Sequence, residues 1–155
     1  MYYSPLDDPI NADNADYEKD YSIWISYQSA HLQEKNWDKL DIPHLILELE
    51  GLNKSNEREL ESYLIVMLTH LLKWEYQPDK RCGSWKGSIN NSRNRINKLF
   101  KHQQSVKKRV NEFVAESYNE AKEWASVDTG LRIGLFPQSC PYSLDDLLDK
   151  TWFPD

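Results

Sequence analysis

Apolar side chains recur every third or fourth position along most of this chain, and that recurrence predicts helices. The longest run is Leu45, Leu49, Leu52, Asn56, Leu60, Tyr63, Met67, Leu71 and Trp74, which steps by fours and threes and keeps its phase through Gly51 and Asn53. It predicts one helix over about 42–76, roughly 50 Å long at 1.5 Å per residue; two helices kinked near Gly51 are the alternative. The second half of that run, ESYLIVMLTHLLKW, is apolar on more than one side and belongs at the centre of a core. Pro43 falls in the helix's first turn, where its missing N–H costs nothing, and Asp41 is placed to cap it.

Three further helices follow from the same recurrence. Tyr17, Tyr21, Trp24, Gln28, His31 and Leu32 predict a first helix over about 14–35, with Asp13 and Asn14 as candidate caps and an extended arm over 1–12 before them. Beyond Pro78, which ends the long helix, Ser84 is the expected cap of a third helix with Trp85, Ile89, Ser92, Ile96 and Leu99/Phe100 turned inward. Its bases Lys86, Arg93, Arg95, Lys98 and Lys101 fall on the opposite face. Ser105 is the expected start of a fourth helix striped by Val106, Val110, Phe113, Ser117, Ala121 and Trp124, which stops at Thr129-Gly130. LRIGLFPQSCP reads as irregular or a short strand. Ser143 with Asp146 opens a short helix, and Trp152 and Phe153 are expected to dock the C-terminal segment. The chain therefore reads as a single all-α domain over 1–155. It is a helical bundle of four main helices with a long second helix and a short C-terminal helix, cored by Trp24, Leu49, Leu60, Leu64, Met67, Leu68, Leu71, Ile89, Ile96, Phe113 and Trp124.

Composition fits this picture and narrows the function classes. At 155 residues, one core is what the chain sustains. Six Trp, nine Tyr and four Phe are too many aromatics for a disordered chain. No apolar run reaches the roughly 20 residues that span a bilayer. MYYSPLDDPI has no basic start, apolar stretch or small-residue cleavage site, so it is not read as a signal peptide, and a cytoplasmic location is expected. Cys82 and Cys140 read as two buried, reduced thiols. No Cys/His spacing suggests zinc, and no cofactor motif is present.

The net charge is −6, unevenly spread: residues 79–109 hold ten Lys/Arg and one acid, Asp79. That segment either lies beside acidic helices of its own fold or faces an anionic partner. Within it, SVKKRV at 105–110 places three cations in the predicted first turn of a helix, against the helix dipole. Lys107, Lys108 and Arg109, with Arg93 and Lys86, are therefore the candidate anion-binding residues. HLLKWEYQPDKRCGSWK at 70–86 crowds Trp74, Tyr76 and Trp85 among bases; an aromatic corner fastening two helices is preferred to a stacking surface for single-stranded nucleic acid. Glu50, Glu57, Glu61 and His70 are the residues on which a bundle metal site would be built, but the sequence lacks the Glu-x-x-His pairs of such sites. His70 itself reads as a hydrogen-bonded core histidine. No nucleophile elbow is found.

The order of four blocks, YEKDYSIWI, DIPHLILELEGL, LESYLIVMLTHLLKWEYQPDKRCGSW and FPQSCPYSLDDLLDKTWFP, resembles the domain of unknown function 29 family over about Tyr17 to Pro154. The resemblance implies an all-helical, intracellular bacterial protein, of a family found largely in cyanobacteria, with no catalytic residue set and no cofactor to carry over. The leading expectation is a non-enzymatic interaction or regulatory module, with a homodimer or another protein as partner through the long second helix. Nucleic-acid or polyanion binding through residues 80–109 is the alternative.

Overall fold

In a computed structural model, Pro5 and residues 15–155 are described. The expected arm, Pro5 apart, and the caps Asp13 and Asn14 lie outside the described residues. The fold is all-α: α1 (Tyr21–Gln33), α2 (Ile42–Tyr76), α3 (Gly83–His102), α4 (Gln104–Lys108), α5 (Val110–Thr129) and α6 (Leu144–Leu148). Four of these are long and two are single short turns, and no strand occurs among the described residues. The 131–141 stretch is irregular with one 3-10 turn at Ile133–Leu135. No helix among the described residues is long and apolar enough to cross a membrane.

The chain forms two compact units, Met1–Asn53 and Lys54–Asp155. Helix α2 contributes residues 42–53 to the first and 54–76 to the second, and runs unbroken through Gly51, as the uninterrupted phase predicts.

In the smaller unit, α1 begins at Tyr21 rather than near residue 14. The carboxylate of Asp16 accepts the Glu18 N–H at 2.9 Å and its carbonyl accepts those of Lys19 and Asp20, so this segment is a turn. Asp20 then caps α1 by accepting the Ile23 N–H at 3.0 Å. A local carboxylate-to-backbone bond outcompetes helix continuation at both positions. Asp41 caps α2 as expected, its Oδ1 accepting the His44 N–H at 3.4 Å.

The larger unit holds the core. Leu60, Leu64, Met67, Leu68, Leu71 and Leu72 of α2 are buried against Ile89 and Ile96 of α3 and Val110, Phe113, Tyr118, Ala121 and Ala125 of α5. Thr69 and Ala121 meet directly, the Thr69 hydroxyl donating to the Ala121 carbonyl at 3.5 Å. Three expected core residues are not there: Trp24 is buried in the smaller unit, and two others are exposed. Trp124 is 51% exposed although its angle on α5 falls between those of the buried Phe113 and Ser117; it borders a surface pocket with Glu61, Ile65 and Glu120. Leu49, in the smaller unit, is 66% exposed, with Leu52 beside it at 62%.

Helix ends follow recognisable chemistry. Gly130 adopts a left-handed φ of 72° and closes α5, the conformation a glycine supplies without steric cost. The Ser143 hydroxyl accepts the Asp146 N–H at 3.1 Å and starts α6. Helix α3 starts two residues early: Gly83 opens it and Ser84 lies inside its first turn, while Cys82, and not Ser84, stands at the cap and makes no side-chain bond. Phe153 docks on Trp74, ring centroids 4.9 Å apart, and Trp152 meets Tyr142 edge-on at 5.5 Å. The two cysteines are unpaired. Cys82 is exposed, contrary to expectation, and Cys140 is half-buried with its thiol pushed up by burial.

Candidate functional site

The basic segment is divided by the fold. Arg93 does not face solvent with the other bases of α3; it is fully buried. Its Nε donates to the Leu147 carbonyl at 2.9 Å and one Nη donates to the Asp146 carbonyl at 3.2 Å, while its guanidinium lies 5.2 Å from the Phe153 ring centroid. Arg93 thus ties α6 to α3 by satisfying carbonyls that a short helix leaves bare. Burial pushes its pKa down, opposed by the nearby Asp149 carboxylate. Arg93 is a structural cation, and its assignment to an open anion surface is corrected.

The SVKKRV segment is also rearranged. In place of one helix from Ser105, a short α4 ends at Lys108 and α5 begins at Val110, with Arg109 between them. Lys107 and Lys108 therefore sit in the last turn of α4, where cations suit the helix dipole, so the charge–dipole conflict expected of them does not arise. Arg109 pairs with Glu57 at 2.9 Å and Glu112 at 3.1 Å; its hydrogen bond to Glu112 and the charges of both acids push its pKa up. Lys86 is exposed, its Nζ 5.6 Å from the Phe153 ring centroid. What stays open is Arg95, Lys98 and Lys101 on α3 with Lys107 and Lys108 on α4: all are exposed, and none makes an ion pair among the described residues. Two of them, Arg95 and Lys98, line a pocket of about 230 Å³ together with Glu59, Leu99, His102 and Gln103.

The aromatic corner fastens the fold. Arg81 Nε donates to the Trp74 carbonyl at 2.8 Å and its guanidinium lies 5.3 Å from that indole; Lys73 lies 4.9 Å from the Trp85 ring, and Tyr76 meets Phe136 edge-on at 5.0 Å. The carboxylates of α2 are not assembled for a metal. Glu57 is taken by Arg109, His70 Nδ1 lies 2.7 Å from the Val66 carbonyl, and no group of three or more metal-ligating side chains occurs among the described residues. His70 is half-buried and hydrogen-bonded, close to its expected place.

The smaller unit contains two features that sequence reasoning missed. One is a polar node between α1 and α2. Asp41 Oδ2 accepts the Trp24 indole N–H at 3.1 Å and lies 2.7 Å from His44 Nδ1, while the Asp41 N–H donates to Gln28 Oε1 at 2.8 Å. Glu48 accepts the hydroxyls of Tyr17 at 2.6 Å and Tyr21 at 2.9 Å, and the Tyr17 ring stacks on His44 at 4.1 Å. Burial works to raise the Asp41 pKa, but the hydrogen bonds from His44 and Trp24 outweigh it and hold the carboxyl below its usual range. The two tyrosine hydroxyls likewise lower Glu48, and Glu48 pushes Tyr17 up to about 12.

The other feature is apolar and open. Tyr21, Ile25 and Leu32 of α1 and Ile42, Ile46, Leu49 and Leu52 of α2 are all exposed. The only signal for them lay in the seam itself, which continues past the helices available to cover it.

Neither a curated protein nor a solved structure matches the chain. The family model described as "Domain of unknown function DUF29" matches residues 17–153, so the chain belongs to the DUF29 family.

Proposed function

We propose that this chain is a non-enzymatic protein-interaction module whose binding element is the α1–α2 hairpin of the smaller unit. One observation carries this: seven large apolar side chains are exposed together on two adjacent helices, where a soluble surface normally scatters such side chains singly. Docking onto helical apolar surface removes them from water. The chain's own chemistry at this surface is binding: Asp41 and Glu48 are occupied in holding α1 against α2. The test is binding of the environment-sensitive dye 1-anilinonaphthalene-8-sulfonate to the full chain and to its Leu49→Glu/Leu52→Glu variant. A surface that is open, or that opens on dilution, gives dye fluorescence that the variant loses. Dye binding unchanged by the variant assigns the apolar surface elsewhere and removes the proposal.

A second function is favoured by the exposed bases of residues 95–108: Arg95 and Lys98 line one pocket, and Lys101, Lys107 and Lys108 follow them along the chain without an ion pair among the described residues. They form a surface for the backbone of a nucleic acid, where affinity comes from phosphate contacts and falls with salt. Titration of labelled single- and double-stranded oligonucleotides at two salt concentrations tests it. Lys98→Gln/Lys107→Gln/Lys108→Gln weakens salt-sensitive binding; equal binding by wild type and variant refutes it.

A further inference from the structure

The seven exposed side chains of the hairpin lie on one face, and the geometry of α1 and α2 shows why. The helices are antiparallel: Trp24 and Gln28, later in α1, meet Asp41 at the start of α2, whereas Tyr17 and Tyr21 meet Glu48 one to two turns further on. At about 100° per residue, α1 turns Trp24 and Gln28 toward α2, and Tyr21, Leu32 and Ile25 follow in the direction of increasing rotation. On α2 it is Asp41, His44 and Glu48 that face α1, and Leu52, Leu49, Ile42 and, at the far edge, Ile46 follow in the same rotational sense. In two antiparallel helices, equal rotation away from the contact line leads to the same side of the hairpin. The two stripes therefore merge into one surface, the side chains 42% to 66% exposed.

This surface has two further properties. The first is that no charged side chain lies within the arc of either stripe: Gln28 and Asn53 are the polar residues that fall there. An acidic or basic peptide finds no counter-charge on it, and two copies of it meet without like-charge repulsion. The second is its size. The exposed parts of the seven residues amount to roughly 600–700 Å² on one copy, so a pair that covers all of them removes at most on the order of 1,300 Å² from water, at the lower end of specific interfaces at about 1,200–2,000 Å².

We infer that the occupant is a second copy of this chain. The α1–α2 hairpins of two copies pack face to face about a two-fold axis, building a four-helix layer from one self-complementary patch. This rests on the proposal that the hairpin is the binding element and names its partner.

Size-exclusion chromatography with light scattering, run on the full chain from low micromolar to about 500 µM, tests the inference. The expected mass is twice 18.3 kDa at the upper concentrations. Leu49→Glu/Leu52→Glu returns the monomer mass at every concentration with unchanged helical circular dichroism, because both positions are solvent-exposed within one copy. Leu47→Glu, also exposed but outside the stripe, leaves the dimer intact. A double variant that still dimerises, or a dimer lost with Leu47→Glu, overturns the inference. So does a wild type that stays monomeric at 500 µM. The dye then separates the two ideas: a monomer whose fluorescence depends on Leu49 and Leu52 keeps an open docking face for a different protein, and a monomer that binds no dye there ends both.

Discussion

Residues 42–53 and 60–76 belong to one helix and carry one apolar recurrence, yet they meet different surroundings. In the larger unit the recurrence is covered from several sides: Leu60, Met67, Leu68 and Leu71 are sealed by α3 and α5. In the smaller unit a single helix, α1, lies against α2, and it takes the side marked by Asp41, His44 and Glu48. One unit is held by apolar packing, with Thr69, Ser92, Arg93 and Ser117 buried within it. The other is held by hydrogen bonds at its centre and keeps leucines and isoleucines outside. Periodicity fixes the direction in which a side chain points; the number of elements available to cover that direction fixes whether it is buried.

The contrast is broken most sharply by truncating matched leucines. Leu68→Ala in the larger unit is expected to cost about 2–5 kcal/mol in urea unfolding, the range for a fully buried leucine. Leu49→Ala in the smaller unit, measured at low micromolar concentration, is expected to change stability by no more than about 0.5 kcal/mol. Comparable losses would erase the distinction. Next in size is Arg93→Met, which removes two hydrogen bonds to α6 carbonyls and is expected to cost about 2–3 kcal/mol, together with increased amide exchange in residues 144–148. A surface arginine would show neither effect.

Asp41→Ala probes the polar node and is expected to cost the smaller unit about 1–2 kcal/mol, the weight of a lost cap and its hydrogen bonds. The same node sets a pH dependence. Asp41 and Glu48 are held below the usual carboxylate range, so their contribution is complete above that range and is lost as pH falls through their folded values. Tyr17 is raised, so its contribution is complete below the ordinary tyrosine pKa and is lost as pH climbs through about 12. Near-ultraviolet circular dichroism should therefore report loss of the smaller unit's aromatic packing on acidification while Leu68-dependent stability persists. The smallest effect belongs to Gly51→Ala, expected to stabilise by about 0.5–1 kcal/mol, since a Cβ there meets nothing within 4 Å and the position is helical. Destabilisation would mean that α2 needs a flexible point at Gly51.

Much of the fold was legible because it rests on short-range rules. The bounds of α2, the stop at Gly130, the Ser143 cap and the docking of Trp152 and Phe153 follow from phase, left-handed glycine, capping chemistry and aromatic area. The start of α1 was not legible, because Asp16 and Asp20 both offer carboxylates to backbone N–H groups and only folding selects between a turn and a cap. Arg93 was misplaced by its charge and not by its angle: at about 100° per residue it stands beside Phe100 and Ile89 on the inward face of α3, but an unpaired cation is rarely buried, and the carbonyls of α6 that receive it lie about fifty residues on. The hairpin face was hidden for the opposite reason: Leu49 and Leu52 share the phase of buried leucines, and their exposure depends on how many helices arrive.

Both Cys82 and Cys140 belong to the larger unit; Cys82 is exposed, while Cys140 is half-buried and burial holds its thiol protonated. Maleimide chemistry therefore addresses one position at the head of α3 and leaves the hairpin without a reactive sulfur. A fluorophore attached there tumbles with the larger unit, so its anisotropy reports a gain in mass without touching the surface that would cause it.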